Sequence, residues 1–146
     1  FERARVHVGS WGYGMARRAL DESIKYAIDR SQHGKPIAGH QLIAEKLAVM
    51  ATEIDAARLL SLRAAGMIDA GQRCDKECAM AKWYGTEIAV SATRQAVQIH
   101  GGNGVTKEFI VERLAREAMI APIPDGTTEI QKLLIGRSLT GVSAFR

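Results

Sequence analysis

Apolar residues recur every three to four positions along almost the whole chain, and that spacing leaves helix as the only regular structure for most of it. Val8, Trp11, Met15, Ala19, Ile24 and Ala27 keep the period through a first segment. It is broken at Ser31-Gln32-His33-Gly34-Lys35-Pro36, where glycine and proline end a helix. Ile43, Leu47, Met50, Ile54, Ala57, Leu60, Ala64 and Met67 carry a second pattern, predicting a helix from Gln41 to Ala70 that Gly71 caps. A third helix is expected from Asp75 to Ile99, running into Gly101-Gly102-Asn103-Gly104. A shorter one is expected from Lys107 to Met119. A final helix from Thr127 to Leu139 follows the break at Ala121-Pro122-Ile123-Pro124-Asp125-Gly126. No segment alternates with period two over the length of a strand. Long helices with short connections predict an all-α fold, an antiparallel four-helix bundle with an additional C-terminal helix.

Gly9, Gly12 and Gly14 lie inside the first helical pattern. Each costs about 1 kcal/mol relative to alanine in a helix interior. Close approach to another helix is the expected compensation. Met15, Met50, Met67 and Met80 fall on apolar positions and read as core fillers.

At 146 residues the chain is one domain with enough length to bury a core. Its net charge of +4 comes from Lys and Arg scattered among acidic residues, without a basic block, which argues against nucleic-acid binding. A mildly basic surface suits an anionic ligand such as a nucleotide or a CoA phosphate. No stretch approaches the ~20 apolar residues needed to span a bilayer. The first residue is Phe1, so the chain reads as processed, excised or partly covered. Cys74 and Cys78, four residues apart, are expected to be reduced thiols on one helical face. His7, His40 and His100 have no spacing that makes a metal ligand set, and read as surface or packing histidines.

Three segments stand at helix ends: Arg30–Pro36, Gln98–Gly104 and Asp125–Gln131. The glycine stretch after Gln98 either stops a helix or frees backbone amides to approach a phosphate or ribityl chain. Asp125 has two readings as well. It is an N-cap for the last helix, worth ~1 kcal/mol, or a carboxylate base whose pKa is set by dipole and burial in opposition.

Taken together with Arg17-Arg18-Ala19-Leu20-Asp21-Glu22, Tyr26-Ala27, Leu47–Glu53, Ala81-Lys82, Ala96–Gly102 and Val111-Glu112-Arg113, these segments resemble the C-terminal domain of acyl-CoA dehydrogenases in order, spacing and wording. The likeness covers nearly all of residues 1–146. It implies a helical bundle whose N-terminal helical and middle β-barrel partner domains are not in this chain. It implies α,β-dehydrogenation of an acyl-CoA thioester, FAD as cofactor, and an electron-transferring flavoprotein as electron acceptor. A homodimer or homotetramer, cytoplasmic or in the mitochondrial matrix, is implied too.

The resemblance also assigns residues. Arg30 and Gln32 match a flavin pyrophosphate arginine and its neighbour, and His33 stands where phenylalanine is usual. Gln41 matches a glutamine near the adenosine. Gln98, Ile99, His100, Gly101 and Gly102 match a flavin-binding segment reached from a neighbouring subunit. Thr127 and Glu129 flank the flavin. Glu2, Arg5 and Gly126 fall on the substrate side. Asp125 takes the place of the usual glutamate base, one methylene shorter, and Ala4 occupies the alternative base position on the first helix. Aspartate at the base also resembles nitroalkane oxidases of the same superfamily, whose carbon acid is stronger. A non-catalytic helical module that builds an oligomer and lends flavin contacts is the third reading.

Overall fold

The computed structural model describes residues 2–145. Five α-helices form: α1 (Glu2–Asp29), α2 (Gln41–Asp69), α3 (Asp75–His100), α4 (Ile110–Ala118) and α5 (Thr128–Thr140). The four-helix bundle is organised around α3, which packs against each of the others. Gly9 and Gly12 of α1 meet Ala81 and Gly85 of α3, and Tyr26 stacks on His100 at the far end, so α1 and α3 run parallel. Arg63 lies by Met80, and Glu53 by Tyr84, which makes α2 antiparallel to α3.

The fourth leg of the bundle is divided. Ala118 packs beside Ala89, and α4 serves the C-terminal half of α3. Thr128 reaches Glu87 and Lys132 lies over Trp83, so α5 serves the N-terminal half. The expected additional helix is therefore the second part of that leg. The interruption between α4 and α5 is the Pro122–Gly126 segment.

The core is aliphatic and alanine-rich: Ala16, Ala19, Leu20, Met50, Ile54, Ala57, Ala92, Ala96, Ile99 and Leu114 pack together. Alanines at these positions let long helices approach closely. The closest approach is between α1 and α3, where a Cβ on Gly12 would stand 2.4 Å from the Gly85 carbonyl oxygen, and one on Gly85 as close to that of Gly9. Gly14 does not share this role. It is exposed, with no other atom within 4 Å of its Cβ position.

Met15 and Met50 are buried as expected, but Met67 and Met80 are only half-buried. Trp11, although on the helical period, is 43% exposed. Apolar spacing identifies a helical face without specifying what covers it.

Helix ends follow local chemistry. Helix α2 stops where Gly71 takes φ +65, and Gln72 N–H bonds back to Met67 O at 2.9 Å while Gly71 N–H bonds to Ile68 O at 3.0 Å, a Schellman cap. The break after α1 differs from expectation in containing two short strands, Ser31–Gln32 and Lys35–Pro36. They pair around His33 (φ 53) and Gly34 (φ 80), both left-handed as a tight hairpin turn requires. Two residues per strand are too few to leave a period-two signature. Gly101–Val105 form a 3-10 turn, and α4 begins at Ile110 rather than Lys107 because Thr106 Oγ1 and Phe109 N–H are engaged in turns.

Cys74 and Cys78 are free, buried thiols with sulfurs 3.5 Å apart. Among the described residues, no helix is long and apolar enough to cross a membrane.

Candidate functional site

The hairpin and the C-terminal end of α3 meet at one end of the bundle. Tyr26, near the end of α1, stacks on the buried His100 ring (centroids 4.2 Å apart) and accepts a hydrogen bond from Asn103 Nδ2 at 3.0 Å. Phe109 closes on both rings edge-on. His100 Nδ1 bonds Ala96 O at 2.8 Å, and burial lowers its pKa, which favours neutral imidazole. His100 is thus a packing histidine, as its position on the helical face suggests.

Against this aromatic cluster runs an open groove of about 620 Å³. Arg30, Gln32, His33, Ile99, His100, Gly101 and Gly102 all line it, so two sequence segments nearly 70 residues apart come together. Its walls include Ile37, Leu42 and Ile43. His40 holds the hairpin in place, its Nε2 3.2 Å from Gln32 O. Gln41 begins α2 beside this wall and Gln98 lies exposed on α3, but neither lines the groove. Gly101 and Gly102 have no other atom of the chain within 4 Å of their Cβ positions. Gly101 takes φ 58, a conformation that itself favours glycine, whereas the space beside Gly102 is open. A guanidinium, amides and bare glycine backbone beside an apolar wall make a donor set for a phosphate-bearing, partly aromatic molecule.

The second region is the break in the fourth leg. Asp125 is half-buried with φ 56, and Gly126 follows at φ 94. The N-cap of α5 falls on Thr127, not on Asp125. The capping alternative for Asp125 is therefore corrected: the chain needs two left-handed residues to turn into α5, and they occupy the positions ahead of the cap. Glu129 accepts hydrogen bonds from its own backbone N–H and from Thr127, which hold its carboxyl below the usual range.

Two buried polar side chains surround this turn. Lys82 of α3 is 0% exposed and donates from Nζ to Pro122 O at 2.6 Å. Burial lowers its pKa, while Glu87, Asp125 and Glu129 act in the opposite direction. Gln131 of α5 is also 0% exposed and donates from Nε2 to Asp125 O at 3.1 Å and to Gly126 O at 2.9 Å. Sequence reasoning placed Tyr26, Lys82 and Gln131 in segments that carry the resemblance but gave none of them a role. The available signal was a lysine at a core position of α3, flanked by Ala79, Ala81 and Gly85.

Glu2 and Arg5 lie in a third place, near the start of α1. With Asp75 and Arg137 they line a pocket of about 460 Å³. A hydrogen bond with Asp75 raises the Glu2 carboxyl, and Asp75 is lowered by Glu2 and by Arg73, which donates to it at 2.9 Å. Arg5 Nε is buried without a hydrogen-bond partner. Among the described residues, no three His, Cys, Asp or Glu side chains are grouped to hold a metal ion.

Comparison with known proteins supplies a frame for these sites. The family profile described as acyl-CoA dehydrogenase, C-terminal domain, matches residues 1–140. A probable acyl-CoA dehydrogenase of Bacillus subtilis is 47% identical over 92% of this chain, and the match covers 36% of that relative. The caffeyl-CoA reductase-Etf complex subunit of Acetobacterium woodii is 45% identical over the same shares. Among solved structures, butyryl-CoA dehydrogenase from Megasphaera elsdenii superposes with a TM-score of 0.93 at 37% identity, covering 94% of this chain and 36% of that one. Glutaryl-CoA dehydrogenase from Mycobacterium smegmatis gives 0.95 at 34% identity, covering 99% and 38%. The chain thus spans a little over a third of the length of these relatives.

Proposed function

The chain belongs to the acyl-CoA dehydrogenase family, as its C-terminal helical domain, and from that premise we propose that the intact protein oxidises an acyl-CoA thioester with Asp125 as the base. The observation that carries this reading is the turn at Asp125: a carboxylate held half-buried at the break between α4 and α5, in a left-handed conformation secured by buried side chains. Asp125 takes the α-proton of the thioester. FAD, when bound, would supply the acceptor for the β-hydrogen as hydride, and the product would be the α,β-unsaturated thioester.

The remaining residues bind and orient. Arg30, Gln32 and His33 are proposed to face the flavin pyrophosphate, with Ile99, His100, Gly101 and Gly102 on the other side of the groove. Gln41 and Gln98 extend that surface at its margins. Thr127 and Glu129 lie beyond the base on the flavin side; Gly126, Glu2 and Arg5 lie on the substrate side. The N-terminal helical and β-barrel domains belong, on this reading, to the rest of the intact protein.

Relatives named both as dehydrogenases and as reductases share this domain, so the same fold serves proteins named for either direction. An electron-transferring flavoprotein is the proposed redox partner; one relative is named as part of a complex with such a protein. Leu42, Val105, Met119, Ile120, Ile123 and Leu139 are exposed and suit a homo-oligomer, dimer or tetramer, as the assembled state.

The test is anaerobic flavin bleaching by a panel of saturated acyl-CoA thioesters in the intact protein. Asp125→Asn is expected to abolish bleaching. Unchanged bleaching would sink the assignment of the base. Oxygen uptake with nitroethane, in place of bleaching by any thioester, would move the protein to the nitroalkane oxidase class.

A further inference from the structure

We propose that Lys82 and Gln131 are positioning residues, a buried polar clamp that holds the Pro122–Gly126 turn and so aims the Asp125 carboxylate; this rests on Asp125 being the base. The turn is an interruption in a bundle leg, and its conformation needs support. Asp125 and Gly126 are consecutive left-handed residues, and the first carries a side chain. Such a backbone persists when its surroundings over-determine it.

The surroundings here are polar where a helix bundle is ordinarily apolar. From α3, Lys82 Nζ donates to Pro122 O at 2.6 Å, across 40 residues of sequence. From α5, Gln131 Nε2 bridges the carbonyls of Asp125 and Gly126. Thr128 Oγ1 donates to Glu87 Oε1, which ties the first turn of α5 to α3 just beyond the clamp. The turn is thereby gripped on both sides of the base.

Neither residue is explained by packing alone. A fully buried ammonium and a fully buried amide both lose hydration that leucine or methionine would not lose. Gln131 leaves its Oε1 buried without a partner. A penalty of that kind calls for a reason beyond filling space. Three carbonyls of a single turn accept all the bonds the two side chains make, and that turn bears Asp125. A Cβ on Gly126 would stand 2.7 Å from Gln131 Nε2, so the glycine and the glutamine fit each other closely.

The experiment uses the intact flavoenzyme and the saturated acyl-CoA that bleaches its flavin fastest, unlabelled and α,α-dideuterated. Lys82→Met and Gln131→Leu keep the shape and remove the donors. A displaced base is expected to lower the bleaching rate constant by about 100-fold, the loss associated with a misplacement of about 1 Å. Full amplitude is retained, acyl-CoA affinity is unchanged, and the α-deuterium isotope effect rises as proton removal becomes the slow step.

A purely structural role predicts otherwise: reduced amplitude or melting temperature, with the rate constant and isotope effect of the wild type. That result in both variants overturns the proposal. Should Lys82→Met fail to fold, Gln131→Leu and the milder Gln131→Met decide by the same criteria. Asp125→Asn separates the two levels of inference. If it bleaches normally, the base assignment fails and the clamp with it. If it is dead while the clamp variants are wild-type in rate, only the clamp fails.

Discussion

Two alanine substitutions, two residues apart on α1, isolate the packing of the bundle from the propensity of its helix. Gly12→Ala and Gly14→Ala each gain about 1 kcal/mol of intrinsic helix stability. They differ in what the new methyl meets. At Gly12 it would stand 2.4 Å from Gly85 O, 2.7 Å from the carbon of that carbonyl and 3.0 Å from Thr86 Cα. Ordinary contact begins near 3.4 Å, so α1 and α3 must part by about 1 Å, and the obstructing atoms are backbone with no rotamer to change. Overpacking costs about 1–3 kcal/mol, and a rigid backbone contact belongs at the upper end. At Gly14 nothing lies within 4 Å, so only the propensity gain is felt. Gly14→Ala is expected to stabilise the chain by up to about 1 kcal/mol, and Gly12→Ala to destabilise it by about 2. A gap of about 3 kcal/mol corresponds to roughly 6–12 °C in Tm at this chain length. Thermal and urea unfolding followed by far-ultraviolet circular dichroism measure it. Equal melting temperatures for the two variants would refute the α1–α3 contact as the reason for glycine at position 12.

Four further outcomes are expected. The Lys82 ammonium has its pKa lowered by burial, against the opposing influence of Glu87, Asp125 and Glu129, so between its folded value and the ordinary 10.5 the unfolded chain binds the extra proton. Wild-type stability should therefore rise with pH through that window relative to Lys82→Met, as read from urea midpoints in alkaline buffers. Burial, followed by the hydrogen bond with Cys74, pushes the Cys78 thiol up to about 12; iodoacetamide at pH 8 should leave it unmodified in the folded chain and alkylate it in urea, by mass spectrometry. Burial and the hydrogen bond to Glu53 push the Tyr84 hydroxyl up to about 12, so it should stay un-ionised at pH 10.5 in an ultraviolet titration. Tyr84→Phe, which frees α2 from α3 at that point, should cost about 1–3 kcal/mol because it leaves a half-buried carboxylate without its donor.

Most of the helical architecture was legible in the sequence, because a helix is a local object. The period of apolar side chains placed α2 and α3 to within a residue, and Gly71 ended α2 through bonds that span only five residues. The three motifs at helix ends were legible in the same way, but that Arg30 and Gly102 line one groove is a matter of tertiary packing. The hairpin at Ser31–Pro36 escaped because two residue pairs carry no periodicity.

What only the tertiary structure decided concerns pairs distant in sequence. Nothing local tells Gly12, which must be bare against α3, from Gly14, which faces open space. Nor does a lysine between Ala81 and Trp83 announce that its ammonium will meet a carbonyl 40 residues later. Apolar spacing states which side of a helix avoids water. The identity of the partner is settled when α3 is threaded between the other helices, and at the broken fourth leg that threading brings Lys82, Gln131 and the Asp125 turn together.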